Sequence, residues 1–270
     1  MARELLNFIP SWIVISFFCI VLMGISLFVY HVVRRKFNHL IAANNNGPLT
    51  VFIGIISANY AFLLGFVIVT LWHANSEAEK ETSMESYELR SIMNNSTGVE
   101  SIKVEIREAV GRYARAVVYD EWPLMRVGEA SPKMHEVRQQ LFKILAGYTP
   151  KNKQEEIFLT SIVSKLNTLI TKRAARLEFI KSSLSNHLRF ILIAGAIFLV
   201  VLISFIKSDK PQIQIFSVAA VSTIIGFNLG LAFCMDYPFS GDFSVRPDAF
   251  KIESLQDFFE NETSKASDSS

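Results

Sequence analysis

Four long apolar runs free of acidic and basic residues dominate this chain, and nothing else narrows its fold as much. A helix rises about 1.5 Å per residue, so roughly 20 apolar residues cross a hydrocarbon core about 30 Å thick. Trp12–Val33, Leu49–Trp72 and Ile213–Met235 each reach that length without Asp, Glu, Lys or Arg. Phe190–Ile206 is shorter; Leu188 and the flanking Arg189 extend it, with the guanidinium expected to snorkel to the headgroups. In lipid the backbone must satisfy its own hydrogen bonds, and none of the runs alternates with the period of a barrel strand. All four read as helices. Trp12 and Trp72 fall at run ends, where an indole prefers the interface. With 50% hydrophobic residues, 22 phenylalanines and only 19% charged residues, the composition excludes a disordered chain. The first run is too long for a signal-peptide core, and Arg34-Arg35-Lys36 stands where a small-residue cleavage site would lie, so it reads as a retained anchor.

The runs divide an all-α, polytopic membrane protein into residues 1–72 with spans one and two, a polar insert at 73–187, residues 188–235 with spans three and four, and an acidic tail at 236–270. Basic residues in short loops set orientation. Residues 34–48 carry Arg34, Arg35 and Lys36 with no acid, and 207–212 carry Lys207 and Lys210 against Asp209. After Met235 there are three basic and eight acidic residues. Both short loops are therefore expected in the cytoplasm of a cell with this protein in its inner membrane, and the termini and insert outside. Lys172, Arg173, Arg176, Lys181 and Arg189, crowded before span three, pull the other way. The net charge of +2 averages two opposite ends and indicates no nucleic-acid partner.

Within the insert, Val99, Ile102, Ile106, Ala109, Tyr113 and Val117 form a stripe at three- and four-residue steps, and Leu159, Ile162, Leu166, Leu169, Arg173, Leu177, Ile180 and Leu184 approach a heptad seam. This predicts a helical hairpin rising from spans two and three. Arg173 falls on the seam, where a guanidinium needs a carboxylate; Asp120 and Glu121 are the expected partners, with Glu81, Glu85 and Glu88 as others. Trp122 and Pro123 are expected to end that helix. The chain beyond Glu260, rich in Ser and acid, reads as disordered.

No catalytic constellation stands out. Cys19 and Cys234 both lie in spans, which leaves no zinc site or disulfide framework, and no Walker A, HExxH, GxSxG or dinucleotide fingerprint is present. His73 and His187 read as interfacial imidazoles rather than metal ligands. The reading is of a non-enzyme with no cofactor and no metal. Inside the spans the polar residues are Ser57, Asn59, Thr70, Ser217, Ser222, Thr223 and Asn228, expected as interhelical glue or along a hydrated path. Gly226-Phe227-Asn228-Leu229-Gly230 is a GxxxG step that admits a close helix neighbour. On span two, Phe52, Ile55, Asn59, Phe62, Phe66 and Val69 share one face. Such a face suits helix packing or lipid contact, and equally a hydrophobic gate with an amide beside it.

Several segments together resemble the bacterial bestrophin-like membrane-protein family. They are Ala61–Trp72, Tyr113 with Val117-Val118-Tyr119-Asp120-Glu121-Trp122-Pro123, Arg173 and Arg176, and Asp236-Tyr237-Pro238-Phe239-Ser240-Gly241. The likeness spans roughly residues 10–250; Ser185-Asn186 departs from it, since a proline is expected there. The resemblance implies four spans with a helical insert. Bestrophins are pentameric anion channels whose second helix lines the pore, with a cytosolic insert, opposite to the orientation that this chain's own loops give. No bestrophin pore motif matches, so no pore residue is carried over.

Two functions follow. One is an oligomeric anion channel with span two around its axis, the other a non-conducting membrane scaffold or sensor whose insert binds a protein partner. A transporter fits less well, because the chain shows neither repeated halves nor an intramembrane acid.

Overall fold

Three of the four apolar runs are helical from end to end and Phe190–Ile206 is helical as far as Ile203, as the need for internal backbone hydrogen bonds in lipid requires. The computed structural model describes residues 2–36, 46–206 and 210–259. Its helices are α1 (Ala2–Phe8), α2 (Ser11–Lys36), α3 (Asn46–Asn95), α4 (Lys103–Arg115), α5 (Trp122–Val127), α6 (Lys133–Ala146), α7 (Lys153–Glu178), α8 (Asn186–Ile203) and α9 (Pro211–Met235). No strand occurs among the described residues, and α2, α3, α8 and α9 are the helices long and apolar enough to cross a membrane. The protein is an all-α membrane protein. Lys207, Asp209 and the segment beyond Glu260 lie outside the described residues.

The chain forms two compact units. The first is Met1–Ala74, Ser182–Tyr237 and Gly241–Phe243; the second is Asn75–Lys181, Pro238–Ser240 and Ser244–Ser270.

In the first unit α9 lies antiparallel along α2. Gly226 and Gly230 sit one turn apart, and a Cβ on Gly226 would fall 2.8 Å from Cys19 Cα and Phe18 O, one on Gly230 2.9 Å from Ile15 Cα. The GxxxG step is thus filled by this chain's own first span. Apolar contact gains little between helices already in lipid, so close backbone approach is what holds the pair. Asn228 points off the glycine face and is half-buried. On α3, Tyr60, Leu64, Val67 and Leu71 face inward at helical spacing and pack with Leu192, Ala196 and Leu199 of α8. The Tyr60 hydroxyl donates to Leu192 O at 2.9 Å. Ser185 caps α8, its hydroxyl accepting from Leu188 N at 3.2 Å, which supplies the break for which a proline was expected.

In the second unit the outer part of α3 packs with α4–α7 around Ile106, Val110, Tyr113, Val117, Ile162, Leu166 and Leu169. Asn152 caps α7 by accepting from Glu155 N at 2.9 Å. The DEWP stretch does not end its helix. Residues Ala116–Glu121 form a π-helical turn that leads directly into α5, which stops at the left-handed Gly128 (φ 99°). Pro123 cannot donate a backbone bond and crowds the carbonyl behind it, and the wider turn accommodates both defects. The acidic segment after α9 remains folded through residue 259: Phe250 and Leu255 are buried in this core, and Phe258 packs against it.

Candidate functional site: a buried charge cluster and an uncovered face

Four charges meet inside the second unit. Arg176 of α7 is fully buried; its Nε donates to Glu85 Oε2 of α3 at 2.6 Å, and its Nη2 donates to Glu85 Oε1 at 3.1 Å and to Glu121 Oε2 at 2.6 Å. Arg173, one turn earlier, donates its Nε to the same Glu121 oxygen at 3.3 Å and its Nη2 to Glu121 Oε1. The Tyr113 hydroxyl donates to Glu85 Oε1 at 2.8 Å. The Arg176 guanidinium also reaches Met125 Sδ at 2.6 Å and lies 5.4 Å from the centre of the Trp122 ring. Two carboxylates and two guanidiniums balance, so the low-dielectric interior holds no net charge.

The π turn makes this possible. An added residue per turn lets Val117, Glu121, Trp122 and Met125 all face the core. Burial would raise the Glu121 carboxyl, but Arg176 and Arg173 overcome it and hold it below the ordinary 4.5. Burial would likewise lower Arg176, and Glu85 with Glu121 reverses that, so the guanidinium stays charged. Burial, reinforced by Glu85, pushes the Tyr113 phenol well above its usual range, which keeps it a neutral donor. Lys172–Glu81 and Lys165–Glu88, each at 3.1 Å, extend the pairing between α7 and α3.

The expected pairing is redistributed. Glu121 holds both arginines, whereas Asp120 turns outward and pairs with exposed Lys133 at 2.9 Å. Arg176, three residues beyond the seam position of Arg173, is the fully buried member, and Glu85 rather than Asp120 is its second acid. Trp122 packs edge-on against Phe239 at 5.5 Å between ring centres. Pro238 is buried, its carbonyl accepting from Val245 N at 2.8 Å. Gly241 takes φ +82°, a conformation only glycine adopts without strain.

In the first unit, Asp236 accepts from Leu184 N at 2.8 Å and from Ser182, and pairs with Arg189, whose Nη2 also reaches the Tyr237 hydroxyl at 2.9 Å. Arg189 is therefore tied to a buried acid instead of snorkelling. A basic residue just before span three and an acid just after span four, at the same end of two antiparallel spans, were the signal for this pair. His73 and His187 are both exposed, and no metal-holding cluster exists among the described residues.

The span-two face lies uncovered. Phe62 is 78% and Phe66 64% exposed, and Phe52, Ile55, Asn59 and Val69 are exposed beside them. The Asn59 amide donates to Ile55 O at 3.0 Å, leaving one N–H unused. Thr70, Ser217, Ser222 and Thr223 likewise bond to carbonyls of their own helices, so these hydroxyls are not interhelical glue.

The bestrophin-like domain model matches residues 17–250. The chain belongs to the bestrophin-like family. A solved crystal structure, described as that of a membrane protein variant, aligns with a TM-score of 0.61 at 15% identity, covering 92% of this chain and 96% of that one. At that identity the likeness carries the fold of this bestrophin-like protein and nothing finer. No curated protein matches the chain.

Proposed function

We propose that this bestrophin-like protein forms an oligomeric anion channel in the bacterial inner membrane, with α3 around its axis. The observation that carries the reading is the uncovered Phe52–Val69 face, which one chain leaves without a protein neighbour. The bestrophin-like family supports it, because bestrophins conduct anions through a second-helix pore. In such an assembly Phe62 and Phe66 narrow the path and the free Asn59 N–H meets a passing anion. A narrow aromatic ring gates by dewetting, so widening it admits water and ions. Phe66→Ala in liposomes is expected to raise chloride flux above wild type, with Phe62→Ala acting alike and Phe216→Ala, equally exposed on α9, having little effect. A monomer in detergent, or no flux in wild type and both alanine variants, discards the pore and leaves a scaffold whose insert binds a protein.

The basic ends of the short loops support an insert outside the cytoplasm. Glu129 of the insert and Gln212 at the start of α9 are exposed and serve as labelling positions. With Cys19 and Cys234 replaced, Glu129→Cys should react with an impermeant reagent in intact cells and Gln212→Cys should not. The opposite pattern reverses the topology.

A further inference from the structure

Beside the Arg189–Asp236 pair the first unit holds a half-open cavity of about 100 Å³. Its walls are Phe18 of α2, Leu192 of α8, and Leu229 and Phe233 of α9, and its polar lining is Arg189 and Asp236. The order of these residues matches the layering of a lipid leaflet. Arg189 is the fourth residue of α8 and Asp236 directly follows α9, whereas Leu192, Leu229 and Phe233 lie about a turn or two further into the spans. An apolar cavity of roughly 150 Å³ holds a benzene ring, so this one suits a short stretch of acyl chain and not a whole lipid.

The guanidinium is only partly used. Its Nη2 serves Asp236, Ser182 and Tyr237. Nη1 has only a long 3.5 Å contact with Asn186 Oδ1, and Nε–H has no acceptor. Nη2 is committed and Nε is buried, so the group offers a phosphate its charge and the Nη1 donor, and the Arg189 side chain remains 23% exposed. Asp236, by contrast, is fully buried and already accepts from Ser182, Leu184 and Arg189, which leaves it little capacity for a cationic headgroup.

We propose that this cavity is a binding site for a glycerophospholipid, with one acyl chain between Phe18, Leu192, Leu229 and Phe233 and the phosphate on Arg189. The occupant is a bilayer lipid because the apolar walls lie within the spans and the single polar end lies where α8 begins and α9 ends.

The test is native mass spectrometry of the delipidated full-length protein, titrated with dioleoylphosphatidylglycerol, dioleoylglycerol or inorganic phosphate. Charge-assisted hydrogen bonds should make the phospholipid bind about tenfold or more tightly than the phosphate-free diacylglycerol. Ile193, half-exposed on the cavity wall, is the position to block. Ile193→Trp should weaken phospholipid binding by about tenfold while lipid-free melting stays unchanged, and Phe198→Trp, away from the cavity, should not. If Ile193→Trp fails to fold, Arg189→Lys keeps a cation beside Asp236 but loses the second donor nitrogen, Nη1, and should cost the same preference. Equal binding of the diacylglycerol, displacement of the lipid by millimolar phosphate, or full retention in both variants overturns the proposal.

Discussion

The two halves of α3 bury opposite chemistry in one unbroken helix. From residue 49 to 72 its inward face is Tyr60, Leu64, Val67 and Leu71; Asn59 and Thr70 donate to their own helix and Tyr60 to a single carbonyl of α8. From residue 75 to 95 it buries Glu81, Glu85 and Glu88, each facing a cation of α7. The difference follows from the surrounding solvent. In water a carboxylate without its partner regains hydration when the domain loosens, so a balanced pair fixes which helices meet more than it adds stability. In hydrocarbon burial adds no driving force, and small residues and close backbones do the holding.

The largest test of this contrast is Arg176. Removing it leaves Glu85 and Glu121 buried with one cation between them, and breaking a buried pair costs about 3–5 kcal/mol. Arg176→Met should therefore unfold the second unit or abolish yield in detergent. Arg173→Met, whose side chain is 13% exposed, should be milder. A well-folded Arg176→Met protein with an unchanged melting temperature would falsify the view that the cluster organises this unit.

Next in size is a pair of glycines in the spans. Gly226→Ala drives a methyl to within 2.8 Å of α2 backbone, and overpacking of this kind costs about 1–3 kcal/mol. Gly65 has open space where its Cβ would be, so Gly65→Ala should be neutral or gain up to about 1 kcal/mol of helix propensity. Thermal melting of the two variants side by side reads the difference. Equal behaviour would mean that α2 and α9 are not held by close approach.

How much of this was legible in the residues differs by region. Four runs without charge can satisfy their backbones only as helices, so the membrane half was readable from hydropathy alone. The charge cluster was half readable: Arg173 with Glu121 follows from the seam position and the motif, but Arg176 lies off that seam and Glu85 was one of several acids on α3. Asp120 was misassigned because a regular helix gave no means of telling which neighbour turns inward; the π turn, a local change of pitch, decides that. The burial of Phe250 and Leu255 was hidden by the acidic composition around them, since two apolar residues suffice to anchor a segment that otherwise looks solvated.

The smallest predicted effect separates those two adjacent acids. Asp120 meets only Lys133, both substantially exposed, and exposed pairs of this kind contribute little. Asp120→Asn should leave melting unchanged at every pH. Glu121 is held below 4.5 by its arginines after burial is overcome, so its contribution is fully present above the ordinary carboxylate value and is lost as pH falls through the lowered native one. Glu121→Gln should accordingly lower stability at neutral pH and fall less steeply in acid than wild type, because the titrating group is gone. Melting curves from pH 7 down through and well below the ordinary carboxylate value distinguish the pair. If Asp120→Asn flattens the acid limb and Glu121→Gln does not, the π turn has been assigned the wrong carboxylate, and α7 must be held from the outer edge of the helix.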